Sequence, residues 1–224
     1  MQNHSTPDKS SLGNCLDHLV VAARNLQNGV DYVASLLGVP LEQGGQHLLM
    51  GTHNALLRFD DTDTYLEVIA VDPSLPTPQR NRWFGLDNPQ IKARLEHRPQ
   101  LLHWVARTDD ILLAGRRAGF PCGQITPMTR GHLHWQITVN NDGSLPGQGI
   151  LPSLIQWPIK THPAQTLPSR GCRLRKLMAV TPEVAVTGKL LADLQLEQAL
   201  ELETGDMPAL RAWIETPQGV RLLE

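Results

Sequence analysis

The sequence is short of the features that several protein classes require. Aromatic residues make up only 4% of the 224 residues, and the net charge is −2. A charge so close to zero excludes a partner held by bulk electrostatics, such as nucleic acid or an anionic membrane. The three cysteines, Cys15, Cys122 and Cys172, form no CxxC pair. This spacing excludes a disulfide scaffold or a zinc ribbon and favours a reducing compartment.

Long hydrophobic runs and nucleotide-binding motifs are missing as well. No window approaches the roughly 18 uninterrupted apolar residues of a membrane span, and residues 1–13 lack the apolar core of a signal peptide. We therefore expect a cytoplasmic protein with no membrane partner. The sequence contains no GxGxxG, Walker lysine or GxSxG motif. Local motifs thus give no support to nucleotide-dependent or serine-hydrolase chemistry.

The patterns that are present predict short strands, helices and many turns, since the chain has 18 Gly and 17 Pro. Residues 15–22 are an apolar, β-branched run typical of a buried strand. A helix follows, with Asn25 as its N-cap and Gly38 as its stop. Residues 53–59 and 64–71 then predict two antiparallel strands.

The opening pattern returns in the second half of the chain, which indicates an internal duplication. Residues 101–108 match the first strand when His103 is aligned with His18. A second helix and three strands follow, so the repeated unit is strand, helix, three strands. His18 precedes Glu67 by 49 residues and His103 precedes Gln156 by 53. This similar spacing predicts that Glu67 and Gln156 are counterparts.

The remaining sequence predicts an α+β extension after the two modules. We expect a strand, a helix that begins after Thr181, and two more strands, which pack on the modules or close one edge of the sheet. The chain is thus divided into four parts: a polar tail 1–13, a first βαβββ module and loop 14–98, a second βαβββ module 99–160, and a βαββ extension 161–224.

Three motifs in order, LDHLVVA, GTHNALLRF and TYLEVIAVDP, together with the duplication, resemble the glyoxalase-like domain family of mostly uncharacterised bacterial proteins. That family is part of the vicinal oxygen chelate superfamily, with glyoxalase I, bleomycin resistance proteins and extradiol dioxygenases. The resemblance implies two paired βαβββ modules that form a cupped mixed sheet around a cleft. It leaves the reaction open, because one such scaffold hosts many chemistries.

The resemblance also implies a metal site in the cleft. Carried over by position, the ligands are His18 and Glu67 from the first module and His103 and Gln156 from the second. The metal would be a divalent ion such as Zn, Ni, Mn or Fe. Gln156 stands where glyoxalase I has a carboxylate, and an amide cannot act as a base. We therefore expect little glyoxalase I activity.

The residues themselves allow two interpretations of this set. His18, Glu67 and His103 lie on apolar strands, so each is expected to face enclosed space and to need a partner. One divalent metal would satisfy all three. Alternatively, the histidines bond to backbone or water, and Glu67 pairs with an arginine such as Arg58 or with one of the histidines.

Two further groups are candidates for catalysis and substrate binding. His53 could serve as a general base beside Asn54, or the pair could simply shape a turn. The Pro-rich loop carrying Arg82, Trp83 and Phe84 could cover the cleft and bind substrate, or it could be a solvated loop.

The functional hypothesis is a metal-assisted lyase or isomerase that acts on a small substrate with adjacent oxygens. The first alternative is a metal-free protein that binds or sequesters a small molecule. A non-haem iron dioxygenase is less favoured, because the ligand order His, Glu, His differs from that of the extradiol enzymes. The substrate, the metal and association into a homodimer stay open.

Overall fold

The computed structural model describes residues 13–158 and 162–224, which contain four helices and twelve strands. The helices are α1 (Leu26–Leu37), α2 (Pro89–His97), α3 (Ile111–Arg117) and α4 (Val184–Asp193). The strands of the first half are β1 (Cys15–Ala22), β2 (Glu42–His47), β3 (Thr52–Arg58), β4 (Tyr65–Val71) and β5 (Gln100–Arg107). The others are β6 (Gln124–Arg130), β7 (Leu133–Val139), β8 (Ser153–Gln156), β9 (Arg173–Thr181), β10 (Glu201–Thr204), β11 (Ala209–Thr216) and β12 (Gly219–Leu223).

Helix ends follow the capping residues that the sequence supplies. The Asn25 side chain accepts a hydrogen bond from the Asn28 N–H at 2.8 Å, and Gly38 ends α1 with a left-handed φ of 71°. Both features satisfy backbone groups that a helix end leaves unpaired. The prediction for α4 was two residues early: Thr181 is the last residue of β9, and its hydroxyl accepts from the Glu183 N–H.

The sequence patterns did not predict two of the strands, β2 and β12. β2 has the sequence EQGGQH, which lacks the alternating apolar residues that predict a strand. It forms because β3 offers an open edge, and its pairing with β3 shifts register between Gln43 and Gln46, across the two glycines. β12 is mostly exposed and is held by antiparallel pairing with β11.

The two predicted βαβββ modules share one eight-stranded mixed sheet of order β2-β3-β4-β1-β5-β8-β7-β6. β1 and β5 pair antiparallel at its centre, while β1–β4 and β5–β8 pair in parallel. The sheet curls until its edge strands β2 and β6 contact each other. The fold is therefore the cupped α+β arrangement that the resemblance implies.

The C-terminal segment forms a second sheet of order β10-β9-β11-β12. Its element order, strand, helix and three strands, repeats that of the modules, but its first strand pairs with different neighbours. Leu177, Leu191 and Ile214 from this segment join the cluster that contains Leu19 and Trp104 of the first sheet. The extension thus packs mainly on the helix-bearing face of the cup, while His162 near its start contacts Asp17.

Two β-bulges interrupt the central pairing of β1 with β5. Leu16 is opposite Ala106 and His18 is opposite Val105, so Asp17 is an extra residue in β1. Leu102 is the extra residue where β5 passes Val20 and Val21. A bulge breaks the alternation of side chains and re-aims them. Leu16 consequently packs in the cluster of the helix-bearing face and does not share a face with His18, contrary to simple alternation.

No helix in residues 13–158 or 162–224 is both long and apolar enough to cross a membrane.

Gly149 provides a test of the backbone beneath the cleft. Its φ is 103°, and a Cβ added there would lie 2.3 Å from the Leu102 carbonyl oxygen. We expect Gly149→Ala to lower the free energy of unfolding by about 2 kcal/mol or more, through strain and overlap. Gly115 in α3 has no atom within 4 Å of an added Cβ. Gly115→Ala should raise the same quantity by about 0.5–1 kcal/mol in urea denaturation. Equal effects of the two variants would contradict this account.

Candidate functional site

The bulge in β1 places two ionisable side chains together on the floor of the cup. The Asp17 carboxylate is fully buried and accepts a hydrogen bond from His18 Nδ1 at 2.6 Å. Its other oxygen accepts from Trp157 Nε1 and from His162 Nε2, each at 3.0 Å. Three donors therefore surround one carboxylate, and the His18 ring is held with its Nε2 atom turned towards the cleft.

Glu67 of β4 lies opposite that nitrogen. Its Oε2 atom is 3.6 Å from His18 Nε2, just beyond hydrogen-bond distance. Asn54 of β3 donates to Oε1 of Glu67 at 2.5 Å and so fixes the orientation of the carboxylate. Tyr65 stacks on the His18 ring with centroids 4.6 Å apart. Of the predicted residues, the structure thus brings His18, Glu67 and Asn54 together.

Burial and hydrogen bonding act in opposite directions on the charges of this floor. Burial alone would raise the pKa of Asp17, but the hydrogen bonds from His162 and His18 hold that pKa well below its ordinary value. Burial raises the pKa of Tyr65 well above its ordinary value, and the nearby Asp17 and Glu67 add to this effect. Asp17 is therefore ionised and Tyr65 is a neutral phenol at neutral pH.

The corresponding part of the second module is uncharged. His103 Nε2 accepts a hydrogen bond from the Ser153 backbone N–H at 3.1 Å, and Nδ1 lies 3.3 Å from the Gly149 carbonyl oxygen, to which it donates. Burial lowers the pKa of His103 to about 3. His103 is thus a neutral imidazole with both ring nitrogens in use.

The strand register makes Ser153, and not Gln156, the counterpart of Glu67 in the second module. Val20 is opposite Glu67 in the first module, and Val105, the equivalent of Val20, is opposite Ser153 in the second. Ser153 follows His103 by 50 residues, closer to the 49 of the first module than Gln156 is. A hydroxyl therefore occupies the place of the carboxylate.

Gln156 itself points to the other face of β8. Its Oε1 accepts from the Ile111 N–H at 3.0 Å and its Nε2 donates to the Asp109 carbonyl at 2.9 Å. The amide thus caps the start of α3, and alternation along β8 keeps it away from the cleft. The spacing argument from the sequence missed this, because it could not place the start of β8 within three residues.

These positions bear directly on the implied metal. Of the four predicted ligands, His18 and Glu67 turn Nε2 and Oε2 towards the cleft, whereas the donor atoms of His103 and Gln156 are engaged in hydrogen bonds. Among residues 13–158 and 162–224, no group of three or more His, Cys, Asp or Glu side chains has the arrangement of a metal site. The four-ligand set does not fit a metal here, since such sites use three or four protein donors.

His53 is separated from the other predicted residues. It follows β3 alternation onto the face opposite to Asn54, where its Nδ1 lies 3.4 Å from Asp72 Oδ2. Gln46 also donates to that carboxylate, at 2.7 Å. A base in this position does not face His18 or Glu67, so the structure gives no support to His53 as the catalytic base.

The Pro-rich loop covers the cleft with its aromatic residues. Trp83 and Phe84 line the space above His18 and Glu67, whereas Arg82 is paired with Asp87 at 2.7 Å. Phe84 has a φ of 56°, a conformation that costs a bulky residue free energy and is typical of functional segments. The enclosed space is about 20 Å³, enough for one water molecule.

The sequence analysis did not predict several residues of the site. Asp17, Trp157 and His162 build the floor, and His47, Trp135 and Arg130 line the same space. Asp17 stands directly before His18, a position that alternation assigns to the opposite face, and only the bulge reverses this. The other residues come from distant segments whose proximity no local pattern reveals.

A larger pocket of about 380 Å³ lies on the helix-bearing side, between β1 and the C-terminal extension. Cys15 and Arg107 line it, and the Arg107 guanidinium donates to the Cys15 sulfur at 3.4 Å. It has no paired acid and base comparable to His18 and Glu67. The chemistry therefore favours the concave cleft, although the cleft is the smaller space.

Asp17→Asn tests whether the buried carboxylate supports the site. An amide would turn its NH₂ group towards at least one of the three donors, so we expect the free energy of unfolding to fall by about 3–5 kcal/mol. The matched control is Asp31→Asn on the exposed face of α1, where Asp31 accepts from Gln27. That change should stay within about 0.5 kcal/mol. Equal losses in chemical denaturation would show that Asp17 carries no special weight.

The buried side chain of His47 is expected to make the free energy of unfolding depend on pH. Burial lowers its pKa to about 3 from 6.5, with help from the charge of Arg130. Between these values the unfolded chain binds a proton that the folded protein excludes, so stability is lost as the pH falls from 6.5 towards 3. His47→Asn should reduce the slope of unfolding free energy against pH by about 1.4 kcal/mol per pH unit. An exposed histidine variant, His134→Asn, is the control, and an unchanged slope in His47→Asn would refute the assignment.

The comparisons with known proteins agree with this architecture. The model of a family described as a glyoxalase-like domain matches residues 16–195. Among curated proteins, none matches the chain. A hypothetical protein from Staphylococcus aureus is similar in structure, with a TM-score of 0.62 and 14% identity over 88% of this chain and 88% of that chain.

Two enzymes of known structure are also similar. A mutant of 4-hydroxymandelate synthase from Streptomyces coelicolor has a TM-score of 0.50 and 12% identity over 93% of this chain and 61% of that chain. Methylmalonyl-CoA epimerase from Mycobacterium tuberculosis has a TM-score of 0.45 and 19% identity over 69% and 95%. At such identities the likeness concerns the fold alone. Because the family model spans most of the sequence and the paired modules have the matching topology, the chain belongs to the glyoxalase-like domain family of the vicinal oxygen chelate superfamily.

Proposed function

We propose that this protein is an isomerase- or lyase-type enzyme that moves a proton on a small carbonyl compound with adjacent oxygens. His18 and Glu67 form its acid–base pair, and Asp17 is a positioning residue that orients His18. The observation that carries the proposal is the buried sequence of contacts from Asp17 to His18 at 2.6 Å and from His18 to Glu67 at 3.6 Å. This series of contacts ends at the space inside the cup.

The arrangement supports proton transfer for a geometric reason. The Nδ1 proton of His18 is held by Asp17, so the lone pair of Nε2 faces the cleft. A carboxylate behind an imidazole sets its tautomer and stabilises the cation formed when the imidazole takes a proton. Glu67 lies across the gap and can hold or return that proton.

The proposed step is the abstraction of a proton next to a carbonyl group. Nε2 of His18 removes a proton from the carbon next to a carbonyl group; the electron pair of the C–H bond forms a C=C bond, and the π pair of the C=O bond moves to the oxygen, which gives an enolate. Return of the proton at a neighbouring position gives an isomer. Departure of a leaving group from the next carbon, with its bonding electrons, gives the lyase product.

The space beside this pair must widen to admit a substrate. It measures about 20 Å³ and is lined in part by Trp83 and Phe84, which stack with centroids 5.0 Å apart. Exclusion of water strengthens electrostatic interactions within the site. Opening of the loop around Phe84 is therefore part of the proposed cycle.

A divalent metal is an alternative for which His18 and Glu67 would be the two protein ligands, fewer than the three or four that such sites use. The dioxygenase alternative needs two histidines and one carboxylate on one iron ion. His103 is not available as the second histidine, because its Nε2 accepts a hydrogen bond from the Ser153 N–H. A protein that only binds a small molecule is the second candidate. It is favoured by the aromatic wall of Trp83, Phe84, Trp135 and Trp157 around the closed space.

Deuterium exchange tests the proposal directly. Pyruvate, 2-oxobutyrate and hydroxyacetone in D₂O are incubated with the protein, and loss of the C–H signal next to the carbonyl is followed by proton NMR. We expect catalysed exchange with at least one compound. His18→Gln and Glu67→Gln should each lower the rate by about 10²–10⁴, the usual contribution of a general acid or base.

The controls separate the three candidates. His53→Gln and His134→Gln should keep the parental exchange rate, because neither side chain faces the pair. Exchange that persists after chelator treatment supports proton transfer by protein residues alone, whereas loss on chelation and recovery with Zn or Mn would favour the metal. Binding of these compounds without any exchange would favour the second candidate and contradict the first.

A further inference from the structure

Arg130, the last residue of β6, lies between two spaces of the molecule. One is the enclosed cleft above His18 and Glu67, and the other is an outer groove of about 560 Å³ between the ends of β2 and β6. Arg130 lines both. The side chain is therefore within reach of a molecule bound in either space.

Within the described part of the chain, Arg130 has neither an ion pair nor a hydrogen bond from its guanidinium. The other arginines around the loop differ: Arg82 is paired with Asp87, and Arg80 lies within 3.4 Å of the Thr126 hydroxyl. A half-buried guanidinium presents five donors and stays charged at all relevant pH values. An unpaired one at a cavity entrance is available to a ligand.

The neighbouring strand is shaped to seat this side chain. A Cβ added to Gly45 of β2 would lie 3.0 Å from Cγ and 3.1 Å from Cδ of Arg130. Glycine at this position thus allows the aliphatic part of Arg130 to lie against the backbone. The guanidinium is consequently directed by its stem and does not depend on a protein carboxylate for its position.

The charges around the groove favour a negatively charged ligand. Its lining includes no aspartate or glutamate among the described residues, and Arg130 is its one permanently charged group. The positive charge also reaches the cleft, since it disfavours protonation of His47 and favours ionisation of Tyr65. The nearest carboxylate that shares a space with Arg130 is Glu67, on the far side of the cleft.

We propose that Arg130 binds a carboxylate or phosphate group of the substrate, so that the substrate is a small organic anion whose carbonyl end enters the cleft. The two oxygens of such a group match the fork of a guanidinium. The assignment of the carbonyl end rests on the proposed function of His18 and Glu67. The anion site itself rests only on Arg130 and its groove.

Binding of matched probes tests the site without any turnover. Benzoate and benzamide have nearly the same shape but differ in charge, so they test whether the site prefers an anion. Phenyl phosphate and inorganic phosphate test whether it prefers an organic anion to the free ion. Dissociation constants are measured by isothermal titration calorimetry. We expect the parent to bind benzoate or phenyl phosphate at least about tenfold more tightly than benzamide, as a charge-assisted hydrogen bond would produce.

Arg130→Gln should remove this preference, Arg130→Lys should keep part of it, and Arg116→Gln on the exposed face of α3 should leave it unchanged. Melting temperatures identify any variant that fails to fold, and the lysine variant then carries the test. A preference that survives in Arg130→Gln, or a parent that binds no anion better than benzamide, overturns the proposal. Equal affinity for inorganic phosphate and phenyl phosphate would also overturn the assignment to an organic substrate.

Failure of this proposal can be distinguished from failure of the proposed function. His18→Gln and Glu67→Gln leave Arg130 in place, so both should retain the preference for benzoate. Anion binding without catalysed deuterium exchange would leave the anion site standing and refute the acid–base pair. If Arg130→Gln leaves the rate of deuterium exchange unchanged and the parent shows no preference for anions, the anion site alone is refuted.

Discussion

The site depends on one buried interaction, the Asp17 carboxylate with its three donors. A charged group with no exposed surface is stable only when every lone pair that faces the interior is satisfied. His18, Trp157 and His162 provide that satisfaction, and they come from β1, from the end of β8 and from the start of the extension. The same contacts therefore hold the two modules and the extension together and orient the imidazole.

The duplicated modules have diverged in charge while keeping their geometry. The first module places His18 beside two carboxylates, whereas the second places His103 against Ser153 and a backbone carbonyl. A neutral imidazole with both nitrogens engaged can support the sheet but cannot exchange protons at neutral pH. One half of the cup therefore has a charged floor, and the other half provides much of its aromatic wall through Trp135 and Trp157.

The charges are also separated across the cup. The carboxylates of Asp17 and Glu67 lie at the floor, whereas the Arg130 guanidinium borders both the cleft and the outer groove. Under the proposed binding mode, this separation would orient an anionic molecule with its charged end towards Arg130, because the carboxylates of the floor repel it and the guanidinium attracts it. Trp83 and Phe84 line the same space as His18 and Glu67.

Local sequence determined the helices, the duplication and three of the central residues. Capping by Asn25 and the strand patterns around His18, Glu67 and His103 are short-range properties, so the chain itself specifies them. Tertiary structure alone decided which of these side chains meet. The bulge that turns Asp17 into the cleft, the register that pairs Val105 with Ser153, and the edge that recruits the polar strand β2 all arise from pairing between distant segments. A shift of one residue in a strand reverses the face of every side chain, so periodicity could not place Gln156 or His53.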